Sequence, residues 1–110
     1  MKTLLPLAIA AAALAALPAS AHTVEISDDG QYKVSVPYGD LNLATPDGVR
    51  RLEGRLKAAA RSVCGAPTAP GFAEARAIGD CRRDVLDAAR PQMMLALNGV
   101  KGSIALAASR

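Results

Sequence analysis

Three rhythms of apolar and polar residues run along this chain. Leu4–Leu17 is a continuous apolar run broken only by Pro6, with Lys2 ahead of it and Pro18, Ala19, Ser20 and Ala21 behind it. A bilayer span needs about 20 apolar residues. This run is shorter and rich in alanine, and it ends in the small-x-small pattern cleaved from exported proteins. It predicts a leader over residues 1–21, cut after Ala21, and one small mature domain over residues 22–110.

The second rhythm has a period of two. Tyr32, Val34, Val36 and Tyr38 alternate with Lys33, Ser35 and Pro37, as a half-buried strand requires. Thr23-Val24-Glu25-Ile26 alternates as well, and Asp28-Asp29-Gly30 between the runs is a turn signal, so the two are spaced to form a hairpin. Pro37 cannot donate to a ladder and belongs on an edge or at the strand's end.

The third rhythm is helical. Thr45-Pro46 reads as an N-cap followed by a first-turn proline, and Asp47 suits the positive end of the helix dipole. Val49, Leu52, Leu56, Ala59, Ala60 and Val63 then recur at helical spacing, and Gly65 stands where a C-terminal glycine stop belongs, which predicts a helix over 46–63. Glu53 and Lys57 are spaced as an i,i+4 pair. Gly48 and Gly54 weaken this helix by up to about 1 kcal/mol each, and glycine there is expected to permit a close approach by the strand. Ala66–Gly71 holds two prolines and reads as a loop; Phe72–Ile78 has the composition of a helical start. Gly79-Asp80 then reads as a break and a new N-cap, with Cys81, Val85 and Ala88 on one face of a second helix that ends or kinks at Pro91. Met93–Leu97 is apolar and expected to pack, Asn98-Gly99 is a stop, and the tail from about residue 99 is weakly patterned and expected to be flexible.

Composition narrows the chemistry. The formal net charge is +3, and loss of Lys2 with the leader lowers it by one, too mild to demand an anionic partner. With two tyrosines, one phenylalanine and no tryptophan, the chain offers few stacking surfaces, and nucleic acid is not an expected partner. His22 is the sole histidine and would be the new N-terminus. That count excludes a Ser-His-Asp or Cys-His set, a histidine brace for copper and a closed Cys/His zinc site within one chain. No phosphate-binding glycine loop is present, so no cofactor and no enzymatic activity are expected. Cys64 and Cys81 could form a metal site, a redox pair or a disulfide. In an oxidising compartment an isolated pair becomes a disulfide, and its spacing is much longer than the Cys-x-x-Cys of redox sites. Closing a loop of this size is worth ~3 kcal/mol, a large share of a small domain's stability.

Two surface features are candidates for binding. Arg50, Lys57 and Arg61 share one stripe of the first helix, flanked by Arg51 and Arg55: either a solvated face or a contact for an anionic envelope component such as lipid headgroups. Asp40 and Asn42 lie where strand gives way to helix. Capping of turn amides is the favoured reading there, and ligation of a hard cation is the other.

The run VSVPYGDLNLATPDGVRRLEGRLKAAARSVCG, followed by a second cysteine in DCRRDVLDAA, resembles the UrcA family of small exported bacterial proteins. The matching positions include Val36, Tyr38, Asp40, Leu41, Thr45, Gly48, Arg55, Cys64, Gly65 and Cys81, within a stretch of about residues 34–90. Asn42, where that family commonly carries aspartate, and Pro37 depart from its pattern. The resemblance implies export and a cysteine pair, and no settled biochemical activity.

The expected fold is α+β: a short strand or hairpin followed by two helices linked by one disulfide. The expected protein is periplasmic or secreted and non-enzymatic, with a binding or stress-associated accessory role; the alternative is a thiol-redox or metal-handling protein. An exposed edge strand on a small core also suits a homodimer.

Overall fold

The computed structural model describes residues 24–109; the expected leader, its cut after Ala21, and His22 lie outside them. The elements are β1 (Glu25–Ile26), β2 (Tyr32–Pro37), α1 (Pro46–Cys64), α2 (Phe72–Leu97) and β3 (Ser103–Ala108). The class is α+β, as the patterning predicts, and β1 pairs with β2 as an antiparallel hairpin, Glu25 opposite Lys33. Among the described residues no helix is long and apolar enough to cross a membrane.

The tail is the main correction. Residues 103–108 are not a flexible end; they form β3, paired antiparallel with the whole of β2 in the sheet order β1-β2-β3. Ile104, Leu106 and Ala108 are buried opposite Val36, Val34 and Tyr32, while Ser103, Ala105 and Ala107 face out. The period-two signal is present in the sequence, but alanine at the outward positions blurs the contrast and alanine is a poor strand former. Both helices cover the inner face, with α1 against β2 and α2 against β3. Leu52, Ile104, Leu106, Val36 and Val63 are the largest fully buried side chains.

α1 follows its local signals. Thr45 Oγ1 accepts from Gly48 N at 3.1 Å, and Gly65, at φ +78°, donates its N–H to Arg61 O at 3.0 Å. Gly48 is buried, and a Cβ there would collide with the carbonyl of Asn42; Gly54 faces open space. The close approach is thus made at Gly48 alone, and by the turn preceding the helix rather than by the strand as expected.

α2 overrides its signals. It runs unbroken through Gly79-Asp80 and through Pro91. Asp80 is no N-cap; its carboxylate pairs with Arg83 on the next turn. Proline inside a helix costs ~3 kcal/mol. Here buried Ala89 and Ala96 on either side of exposed Pro91 hold the helix to the sheet and to α1. Tertiary packing, not propensity, keeps it continuous. Cys81 therefore lies within α2 rather than at its start, and Phe72–Asp80 extend beyond the disulfide.

Candidate functional site

Cys64 closes α1 and Cys81 faces it from α2; their Cα atoms are 5.9 Å apart and the sulfurs are bonded. The disulfide links the two helices as expected, and among the described residues no cysteine is free. Cys64 is buried and Cys81 half-buried, and both border a surface cleft lined in part by Thr68, Glu74 and Ile78. Beside it Arg82 donates to the carbonyl of Gly65 at 3.2 Å, fixing the residue that ends α1, while its Nε is buried without a partner. The loop that follows is closed by Glu74, whose carboxylate accepts from Thr68 N and Oγ1 and from Ala69 N. Those three donors favour the charged form and hold the Glu74 carboxyl below its ordinary value.

Asp40 and Asn42 take roles other than cation ligation. Both Asp40 oxygens face Arg55, at 2.7 Å from Nη1 and 2.5 Å from Nη2, a bidentate fork between the exit of β2 and the middle of α1. The guanidinium hydrogen bond lowers the Asp40 carboxyl from 3.8 to about 2. This corrects the expected backbone cap: the partner is a side chain from α1. Capping falls to Asn42, whose Oδ1 accepts from Ala44 N at 3.1 Å and whose carbonyl accepts from Thr45 N and Oγ1. Among the described residues no group of three or more His, Cys, Asp or Glu side chains is placed to hold a metal ion.

The basic stripe is exposed but uneven. Arg50 pairs with Asp47 one turn back. Lys57 and Arg61, one turn apart, have no acidic partner among the described residues. Lys57 also stands on the rim of a shallow groove between the helices, of about 330 Å³, floored by Leu56, Leu86, Ala89 and Met93. Arg90 and Glu53 share that rim, so the structure brings a cation of α2 to the stripe of α1. Sequence reasoning missed Arg90, because only the packing of α2 against α1 brings it to this rim.

Comparison with protein-family models, curated proteins and solved structures finds no match to this chain.

Proposed function

We propose that this protein is a small exported envelope protein of the UrcA type that acts by binding rather than by catalysis. In this reading the outer face of α1 meets an anionic envelope component such as lipid headgroups. The carrying observation is that Lys57 and Arg61, like Arg51 on the same helix, stand exposed without an ion pair, whereas Arg50, Arg55, Arg83 and Arg90 each pair with an aspartate. Each unpaired cation near an anionic surface contributes about 1 kcal/mol, an attraction that salt screens. Binding is favoured over catalysis because Asp40 and Glu74, the carboxyls most shifted by their surroundings, are spent on holding a turn and a loop. Export is supported by the leader pattern of residues 1–21 and by a cysteine pair used as a staple.

Co-sedimentation with vesicles tests the binding reading. The protein is expected to bind phosphatidylglycerol vesicles at low salt and to ignore phosphatidylcholine. Charge reversal of Lys57 and Arg61 together should weaken binding about thirty-fold or more. Reversal of Arg50 alone should matter less, because Asp47 already neutralises it. Binding untouched by the double reversal, or no preference for the anionic lipid, refutes the reading. An intact mass of purified protein beginning at His22 tests export. Thiols that label before any reduction would favour the thiol-redox alternative.

A further inference from the structure

The free edge of β3 is not free. Gln92 reaches from α2 to Ala105, where its Oε1 accepts from the backbone N–H at 2.9 Å and its Nε2 donates to the backbone carbonyl at 3.1 Å. One side-chain amide thus makes the pair of bonds that a neighbouring strand would make. Ala105 lies opposite Ser35, and because both its backbone groups turn to Gln92, this is a position where the β2–β3 ladder carries no bonds. Ser103 and Ala107 share that phase and also present their N–H and C=O groups outward.

Nothing else on this strand guards it. Edge strands are kept from pairing by charged side chains, prolines, bulges or cover. Residues 103–108 read SIALAA, with no charge and no proline, and their outward side chains are hydroxymethyl and methyl groups that offer no obstruction. The other side of the sheet is treated alike. Beyond the two residues of β1, the carbonyl of Pro37 is taken by Arg55 Nη1 at 2.9 Å, and Pro37 has no N–H to leave open.

The geometry points to Gln92 as an intramolecular clip that occupies the β3 edge and prevents its pairing with β3 of a second copy of this chain. Without the clip, two copies can join antiparallel about Ala105, with Ser103 of each opposite Ala107 of the other. Both copies then satisfy every outward backbone group of the strand. The homodimer that an exposed edge would suggest is therefore held off along this edge.

The test is the oligomeric state of purified protein by analytical ultracentrifugation, with residue-resolved amide exchange. Gln92→Met keeps the length and packing of the side chain and removes both hydrogen bonds. It is expected to dimerise at least about ten-fold more tightly than the wild type. Adding Ala107→Pro, which removes an N–H that the β2–β3 ladder does not use, should restore the monomer. In the wild type the Ala105 amide should exchange more slowly than those of Ser103 and Ala107, a measurement that needs no variant. A folded Gln92→Met protein that stays as monomeric as the wild type overturns the proposal. So does association that Ala107→Pro leaves intact, or a wild-type Ala105 amide no better protected than its neighbours.

Discussion

The two helices obey different authorities. α1 begins at a threonine cap, carries proline and aspartate in its first turn, and stops at a glycine of positive φ. α2 has no side-chain cap at Gly71, passes through a glycine and a proline, and ends without a basic last turn. Local signals decide boundaries where chain and packing agree, as in α1. Where buried residues on both sides of a breaker must reach the same core, packing wins and the breaker is carried as a cost.

That contrast can be broken most forcefully at the strand that completes the α2 half. Leu106→Ala removes one of the largest fully buried side chains and should cost about 2–5 kcal/mol, read as a lower denaturant midpoint. A loss near zero would return the tail to the flexible end that its weak patterning suggests.

The glycines sharpen the contrast with opposite signs. Gly48→Ala in α1 drives a methyl into the Asn42 carbonyl and should destabilise by about 1–3 kcal/mol. Gly79→Ala in α2 meets open space and should stabilise by up to about 1 kcal/mol, because there the glycine is only a weak helix former. Equal effects at both sites, measured by thermal unfolding, would contradict the distinction.

The smallest expected effect concerns acid. Asp40 is lowered from 3.8 to about 2 by Arg55, so its contribution is complete above the ordinary value and is lost as pH falls through about 2. Glu74 is lowered as well, so its contribution is lost in the same direction. Asp40 is 64% exposed and solvent screens the pair, so the effect should be modest. NMR titration of the two carboxyls checks this, and an Asp40 that titrates at its ordinary value removes the fork. Asp40→Asn should flatten the acid limb of the stability curve.

Legibility followed the same division. The strand at 32–37, the helix from Pro46, the pairing of the cysteines and the exposed stripe on α1 could be read because each rests on residues close in sequence or on the chemistry of a lone cysteine pair. The Asp40–Arg55 fork was half visible: both residues belong to the pattern that resembles UrcA, but 15 positions separate them and only the turn between β2 and α1 brings them together. Arg90 beside Lys57 and Gln92 on β3 were invisible, since both depend on how α2 packs against elements distant in the chain. β3 was hidden because alanine stands where a polar residue would have marked the outward face.

The sequence by itself determined the α+β class, the cap and stop of α1 and the disulfide, because capping geometry, periodicity and cysteine chemistry act over short reach or few choices. Only the tertiary structure decided that α2 is continuous, that the tail is a core strand and that a helix side chain closes its edge. Those outcomes depend on buried area shared among elements far apart in the chain, and no local window contains that balance.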